Sequence, residues 1–153
     1  VRSPLVFDIF GPQEDPNYWC ECLALLQLLP KHIHVTYRGV VPPEQVPAIF
    51  ASYDLMLLPS HGENYGHVIG EALSVGTRVL IGTLTPWHSL EAEGLGWEVS
   101  LDESHRYAEI IDIVAEQSLA ERNAIRSAVR EKALFRILSS LDLESNRNLY
   151  SAI

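Results

Sequence analysis

The sequence predicts an α/β fold, a doubly wound, Rossmann-like parallel sheet with helices on both faces. Short apolar runs alternate with longer segments of helical periodicity, and this rhythm is typical of parallel βαβ units with right-handed crossovers. Gly11-Pro12 and Gly39 end the first two runs, as expected where a buried strand turns into a loop. The predicted strands are Leu5–Phe10, Ile33–Tyr37, Asp54–Leu58, Arg78–Ile81 and Gly96–Leu101.

The predicted helices follow these strands in order. Asp15 is a good N-cap for the first helix because Pro16 stands at its first position, and Pro30 ends it near Leu29. Gly76 follows the third helix where a left-handed residue is usual. The charged residues of the last helix predict a mostly solvated face. The predicted ranges are 16–29, Pro43–Tyr53, Gly66–Val75, Pro86–Glu93, Ser104–Ser118 and Leu119 to about Leu138.

Length and composition limit the classes of protein. With 153 residues, we expect one Rossmann-like domain over 1–153, with 104–153 as its C-terminal helical segment. The formal charge of −9 argues against a nucleic-acid surface. Cys20 and Cys22 point to different faces of a predicted helix, which favours free thiols in the cytoplasm. No run approaches the ~18 apolar residues of a membrane span, and 1–3 shows no secretory signal.

The most informative segment runs from Pro59 to Gly76, directly after the apolar run Leu55–Leu58. It passes through a glycine-bearing loop into a helix and carries two glutamates, Glu63 and Glu71, eight positions apart. Unpaired amides at a helix start attract an anion, and carboxylates accept hydrogen bonds from hydroxyls. A nucleotide diphosphate sugar has both kinds of group and fits this pattern best.

This segment resembles the E-x7-E signature of retaining glycosyltransferases with the two-domain GT-B fold, glycosyltransferase family 4 or group 1. Glu63 and Glu71 match its two glutamates. The likeness covers roughly residues 4–101 and implies the C-terminal, nucleotide-sugar-binding domain of such an enzyme. The further matching motifs are Phe10-Gly11-Pro12, Tyr37-Arg38-Gly39-Val40-Val41, Tyr53-Asp54, Pro59-Ser60, Glu71-Ala72-Leu73 and Thr85-Pro86-Trp87.

The resemblance implies a role for each matched residue. Glu71 would accept hydrogen bonds from the donor ribose, and Glu63 would contact hydroxyls of the transferred sugar as the catalytic glutamate. The sugar and the distal phosphate would be bound by the backbone amides of Tyr65, Gly66, His67 and Val68. The turn after the second strand would contact the base, at Gly39, Val40 and Val41. Gly11 and Pro12, which end the first strand on the same edge of the sheet, would also bind the donor. The plain alternatives are a solvated helical glutamate, an ordinary loop acid and simple strand-to-helix turns.

Two other features of this region were open to more than one interpretation. His61, Glu63, His67 and Glu71 could form a metal cluster, but the resemblance implies no protein-bound metal and no cofactor beyond the nucleotide diphosphate sugar as substrate. Trp87 could wall a sugar pocket or pack between helix and sheet, and packing is favoured. We expect Glu63, Gly66, His67 and Glu71 to line one concavity with Gly11 and Gly39.

The resemblance also implies a missing element. The first strand here matches the family's second, so a strand whose loop carries an Arg and a Lys for the donor phosphates is absent. In the order 3-2-1-4-5-6 it would lie between Leu5–Phe10 and Asp54–Leu58. Either these two pair directly or the gap is unfilled. We expect Ile33–Tyr37 at one edge of the sheet and Trp97–Leu101 at the other.

The expected function is therefore the donor-binding half of a retaining glycosyltransferase, of hexosyltransferase type, in polysaccharide biosynthesis. The acceptor would be a glycan or a lipid-linked glycan. Because the chain begins without methionine and almost on a strand, we interpret it as a fragment that lacks an N-terminal acceptor domain and is inactive alone. The full-length protein could associate peripherally with a membrane. The alternatives are a noncatalytic nucleotide-binding or assembly module on the same fold, and a sugar-nucleotide epimerase.

Overall fold

The computed structural model describes the backbone of residues 1–150 and the side chains of residues 1–137. Residues 151–153, the end of the predicted segment 104–153, lie outside the described residues. Strands and helices alternate, which confirms the predicted fold class. They are β1 (Leu5–Phe10), α1 (Pro16–Leu26), β2 (Ile33–Gly39), α2 (Val46–Phe50, after a single 3-10 turn), β3 (Leu55–Leu58), α3 (His67–Ser74), β4 (Arg78–Gly82), α4 (Leu90–Glu93), β5 (Gly96–Val99), α5 (Ser104–Ala115) and α6 (Leu119–Tyr150).

The strands form two parallel sheets rather than one. β1 pairs with β2, and β3, β4 and β5 form a second sheet in that order. Of the two possibilities left open between the first and third strands, direct pairing or an unfilled gap, the unfilled gap is observed. The outer positions of β2 and β5 agree with the prediction. β1 and β3 each keep one edge unpaired because the described chain places no strand between them.

The core lies around the three-stranded sheet. β4 is buried along its whole length. Its side chains alternate between faces: Val79 and Ile81 pack with α3, α4 and α6, whereas Leu80 packs against Ile110 of α5. Every fully buried apolar side chain among residues 1–137 lies between Met56 and Ala133. The β1–β2 sheet and α1 add apolar contacts but no fully buried apolar side chain.

Charged side chains of α6 hold that helix on the core. The predicted solvated face is observed for Glu121, Arg130, Glu131 and Lys132, which are exposed, whereas Arg122 and Arg126 are half-buried. Arg122 Nη1 lies 2.7 Å from Oδ2 of Asp54. Arg126 Nη2 donates to the carbonyl of Tyr53 at 2.7 Å, and Lys132 Nζ donates to the carbonyl of Glu93 at 2.8 Å. These acceptors come from distant parts of the chain, so the local charge pattern did not indicate them.

The fourth helix begins four residues later than predicted, at Leu90 rather than Pro86. Ser89 has a left-handed backbone, with φ of 63°. The Glu98 carboxylate of β5 accepts the backbone N–H groups of Ser89 at 3.1 Å and of Leu90 at 2.8 Å. A distant carboxylate therefore supplies the cap that sets the start of this helix.

Candidate functional site

The loop between β3 and α3 is fixed by hydrogen bonds within itself and to its neighbour. Ser60 Oγ donates to the carbonyl of Gly62 at 2.7 Å and accepts from the Gly62 amide at 3.2 Å. The Glu63 amide donates to the carbonyl of Leu84 at 3.1 Å, in the loop after β4. β3 and β4 are parallel neighbours, so both loops lie at the carboxyl edge of the sheet, where open α/β sheets bind ligands.

Gly66 makes the turn from this loop into α3. Its φ of +65° lies in the left-handed region, which costs other residues energy because of their Cβ atom. A Cβ at Gly66 would also lie 2.8 Å from Nε1 of Trp87. Trp87 packs beside Gly66 and Gly70 and against the core, which confirms packing as its role, and the Arg136 guanidinium lies 5.0 Å from its ring centre.

α3 presents Glu71 to solvent while it buries its apolar face. Ile69, Ala72 and Leu73 are fully buried, whereas His67 and Glu71 are exposed. This division confirms the predicted amphipathic pattern. Within the part of the chain that the structure describes, the carboxylate of Glu71 has no hydrogen-bond or ion-pair partner. The side chain can therefore accept hydrogen bonds from a ligand without breaking an existing contact.

The first turn of α3 leaves backbone donors free. The Gly66 carbonyl accepts the amides of Ile69 at 2.9 Å and Gly70 at 3.2 Å. The amides of His67 and Val68 have no acceptor among the described residues, as expected for the start of a helix. These donors stand at the positive end of the helix dipole and can bind an anion.

Two further side chains flank this helix start. Glu63 is half-buried, its backbone is fixed by Leu84, and its carboxylate has no partner in the described part of the chain. Tyr65 is 75% exposed and stacks on His67, with ring centres 5.6 Å apart. The arrangement combines anion-binding amides with two unpartnered carboxylates, so it can hold a ligand that carries both phosphate and hydroxyl groups.

The other residues predicted to bind the donor form a separate group at the ends of β1 and β2. The Gly11 amide donates to the Gly39 carbonyl at 3.0 Å, and the Tyr37 hydroxyl donates to the Gly11 carbonyl at 2.6 Å. Pro12, Val40 and Val41 follow these glycines in the chain.

No hydrogen bond, ion pair or ring contact joins this group to the β3–α3 loop among the described residues. Phe10, the last residue of β1, instead packs edge-on against Tyr53, which precedes β3, with ring centres 6.0 Å apart. The structure thus assembles each group, and their common concavity stays a prediction.

The described residues contain neither a metal-binding cluster nor a membrane-spanning helix. No group of three or more His, Cys, Asp or Glu side chains there is close enough to hold a metal ion, so the alternative cluster of His61, Glu63, His67 and Glu71 is not assembled. Among the same residues, no helix is both long and apolar enough to cross a membrane.

Residues 1–132 match the family model described as glycosyl transferases group 1. The chain belongs to this family. It is 31% identical over 80 residues to an uncharacterized 41.2 kDa protein in the cps region of Klebsiella pneumoniae, a match that covers 52% of this chain and 22% of that protein. It is 29% identical over 85 residues to O-antigen chain mannosyltransferase B of Escherichia coli, covering 56% of this chain and 21% of the relative. The chain thus matches about a fifth of the length of these curated relatives.

Solved structures agree with the glycosyltransferase fold. WaaG, a glycosyltransferase involved in lipopolysaccharide biosynthesis, has a TM-score of 0.63 and 23% identity, covering 84% of this chain and 33% of that one. Anabaena Alr3699/HepE in complex with UDP-glucose has a TM-score of 0.68 and 22% identity, covering 94% of this chain and 40% of that one. The chain is therefore a glycosyltransferase domain with the parallel, Rossmann-like architecture of GT-B proteins.

One polar cluster of this glycosyltransferase domain was missed by sequence reasoning. The Asp8 side chain is 4% exposed, and Arg38 Nε lies 3.1 Å from its Oδ2. The Tyr53 hydroxyl donates to the same oxygen, and this bond, followed by Arg38, lowers the pKa of Asp8. Burial, followed by the bond to Asp8, raises the pKa of Tyr53 to about 12. The available signal was an acidic residue inside the apolar strand Leu5–Phe10.

Proposed function

We propose that this glycosyltransferase domain is the donor-binding, C-terminal half of a retaining family 4 enzyme. It would bind a nucleotide diphosphate sugar where β3 meets α3 and serve transfer of the sugar to a glycan or lipid-linked acceptor. The observation that carries the proposal is the combination of free amides at His67 and Val68 with the unpartnered carboxylates of Glu63 and Glu71 in the described chain. The amides can bind phosphate groups, and the carboxylates can accept hydrogen bonds from hydroxyl groups.

Each group would have a distinct task. The amides at the start of α3 would stabilise the departing diphosphate as the glycosidic bond breaks. Glu71 would hold the ribose, and Glu63 the transferred sugar. The sugar and the base would be positioned by the other residues predicted to contact the donor, which are Gly11, Pro12, Gly39, Val40, Val41, Tyr65 and Gly66.

The relatives support this class of donor. The HepE structure contains UDP-glucose, and one curated relative is a mannosyltransferase. The acceptor site would lie in a preceding domain, since the match spans only part of each relative. The isolated chain would accordingly transfer no sugar. The full-length protein would act in the cytoplasm, with peripheral membrane association where its acceptor is lipid-linked.

The test separates the two glutamates by the part of the donor that each contacts. Calorimetric titration of the full-length protein with UDP, GDP and ADP first identifies the base. Glu71→Ala then weakens binding of that bare nucleotide by about 1.5–3 kcal/mol, because a hydrogen bond to a charged group is lost. Glu63→Ala leaves bare nucleotide binding unchanged and lowers turnover, because its partner is the sugar.

Glu131→Ala is the matched control, because this exposed glutamate of α6 is not among the residues of the proposed site. It should change neither binding nor turnover. Equal loss of bare nucleotide affinity in both site variants would contradict the division of roles. No effect of either variant on donor binding or turnover would favour the noncatalytic module instead.

A further inference from the structure

The loop between β4 and α4, residues 83–89, lies beside the β3–α3 loop. At the end of β4, a Cβ at Gly82 would stand 2.5 Å from the carbonyl oxygen of Ser60, so the two backbones are in close contact there. Two residues later, the Leu84 carbonyl accepts the Glu63 amide at 3.1 Å. The β4–α4 loop therefore holds the backbone of the proposed donor site from one side.

Trp87 extends this contact to the start of α3. Its Nε1 and Cδ1 atoms lie 2.8 Å and 2.9 Å from the place where a Cβ of Gly66 would stand. Its Cζ2 atom lies 3.4 Å from the place where a Cβ of Gly70 would stand, one turn further along the helix. The indole ring thus spans the first turn of α3.

The start of α3 has no side-chain cap. Gly66 is the N-cap residue, and no side chain there accepts a hydrogen bond from the first turn. A Ser, Thr, Asp or Asn in its place would cap the helix but would also occupy one of the first backbone amides. Trp87 instead holds the helix start by packing on the glycine, and packing consumes no hydrogen-bond donor. The amides of His67 and Val68 consequently stay available for an anion.

Trp87 is itself held in place by neighbours on both sides. Its amide donates to Oγ1 of the buried Thr85 at 3.3 Å. The Arg136 guanidinium lies 5.0 Å from the centre of the indole ring, a distance at which a cation is attracted to the ring. Arg136 Nη1 also donates to the carbonyl of His88 at 3.1 Å and to Oε2 of Glu93 at 2.7 Å. Through Arg136, α6 therefore fixes both the ring and the chain that follows it.

We propose that Trp87 and Arg136 are positioning residues of the donor site, an inference that rests on the proposed function. Trp87 holds the Gly66 turn in the orientation that directs the amides of His67 and Val68 at the distal phosphate of the donor. Arg136 acts through Trp87 by fixing its ring. Because both act on the start of α3, their loss should weaken binding of the distal phosphate and leave binding of the rest of the nucleotide unchanged.

The affinities of the full-length protein for nucleoside monophosphates and diphosphates test this inference. Calorimetry with UMP and UDP, GMP and GDP, and AMP and ADP identifies the base and gives the preference for the diphosphate as a ratio of affinities. Trp87→Leu leaves a gap into which the Gly66 turn can move. It should reduce this preference at least about fivefold, since a hydrogen bond to a charged group is worth about tenfold or more in affinity. Trp87→Phe, which keeps an aromatic ring against Gly66, should retain most of the preference.

Arg136→Gln is a second variant that leaves Trp87 in place, so it serves as the test should the leucine variant fail to fold. It should reduce the preference for the diphosphate at least about twofold, the low end of the value of a cation–π pair. The double variant with Trp87→Leu should lose no more than Trp87→Leu alone, because Arg136 acts through the ring.

Trp97 provides the matched control. The Arg78 guanidinium lies 5.0 Å from the centre of its ring, so it forms the same kind of pair as Trp87 and Arg136. Trp97 packs with Leu80 and Ile110 on the opposite face of the sheet from α3. Trp97→Leu should therefore lower the stability of the protein but leave the preference for the diphosphate unchanged.

An unchanged preference in Trp87→Leu or in Arg136→Gln would overturn the role of that residue. The same loss in Trp97→Leu would overturn the inference as a whole, and a larger loss in the double variant than in Trp87→Leu would overturn the action of Arg136 through Trp87. In each of these cases the proposed function would stand, because the wild-type protein still binds a diphosphate. A wild-type full-length protein that binds none of the three diphosphates would contradict the proposed function and this inference with it.

Discussion

At the scale of single residues, Gly66 determines the shape of the β3–α3 junction. Its left-handed φ and the 2.8 Å approach of Trp87 to its missing Cβ both exclude a side chain. Gly66→Ala should therefore lower the free energy of unfolding by about 1–2 kcal/mol for the backbone alone, with the clash in addition. Urea denaturation of purified variants measures the change.

Gly70→Ala is the control on the same helix. Its Cβ would lie 3.4 Å from the Trp87 ring, an ordinary contact, and its φ is not positive. Alanine is the better helix former by about 0.5–1 kcal/mol, so this variant should be neutral or more stable. Equal destabilisation by both substitutions would show that crowding by Trp87, and not the backbone of Gly66, is decisive.

Also at the residue scale, the hydrogen bond from Tyr53 to Asp8 predicts that the free energy of unfolding depends on pH. The bond from Tyr53, the largest influence, lowers the pKa of Asp8. The ionised Asp8 carboxylate stabilises the folded state fully above about pH 3.9, the pKa of an aspartate in the unfolded chain. This stabilisation is lost as the pH falls through the lower pKa that Asp8 has in the folded state. Tyr53→Phe should cost about 1.5–3 kcal/mol at pH 7, and its difference from wild type should shrink below about pH 4.

Tyr107→Phe serves as the comparison, because the Tyr107 hydroxyl donates to the carbonyl of Val99 and not to a carboxylate. Its cost should be the same at every pH in the series. Urea unfolding from pH 7 to pH 3 gives both curves. A constant difference for Tyr53→Phe over that range would contradict the proposed linkage.

At the scale of secondary-structure elements, α6 depends on its arginines. Besides its pair with Asp54, Arg122 donates to the carbonyls of Gln117 and Ala115, each at 2.9 Å. Arg122→Ala should lower the free energy of unfolding by about 1.5–3 kcal/mol, the value of a hydrogen bond to a charged group. Arg130→Ala on the same helix should stay within about 0.5 kcal/mol of wild type, because Arg130 is exposed. Thermal and urea unfolding measure both changes. A similar loss of stability in the two variants would contradict the specific role of Arg122.

At the scale of the whole molecule, the two sheets should differ in stability. The fully buried apolar residues among the described side chains all lie from Met56 to Ala133, and regions with little buried surface open first. Trp19 of α1 packs on Tyr37 of β2, with ring centres 4.8 Å apart, and reports on the first sheet. Trp97 lies in β5 and reports on the second.

Single-tryptophan variants of residues 1–153 measure this difference. The variant that keeps Trp19 should lose its native fluorescence at a lower urea concentration than the variant that keeps Trp97. In both variants Trp87 is replaced by Phe, so its loss affects them equally. Coincident transitions would indicate one cooperative unit and would contradict the prediction.

Much of this glycosyltransferase domain could be predicted from local patterns. The apolar run Leu5–Phe10 forms a strand with the predicted bounds. Asp15 caps α1 by accepting the amides of Asn17 and Tyr18. The period of α3 placed Glu71 on its exposed face. Such features depend on residues a few positions apart, and their physical causes lie in the sequence itself.

Other features depended on contacts between distant parts of the chain. The start of α4 required Glu98. The half-buried positions of Arg122 and Arg126 on α6 were not predicted, because Asp54 and Tyr53, which bind them, lie far away in the chain. No hydrogen bond, ion pair or ring contact among the described residues joins Gly11 or Gly39 to the β3–α3 loop, so their common concavity stays a prediction. No short-range pattern encodes such partners, because each depends on where another element packs.

The sequence by itself determined the parallel α/β fold, the order of its elements, and the glycine loop and following helix that carry Glu63 and Glu71, because periodicity, caps and turns act locally. Only the tertiary structure decided that β1 and β3 remain apart. Pairing depends on a strand's neighbours in space. Between those two strands, the described chain provides none.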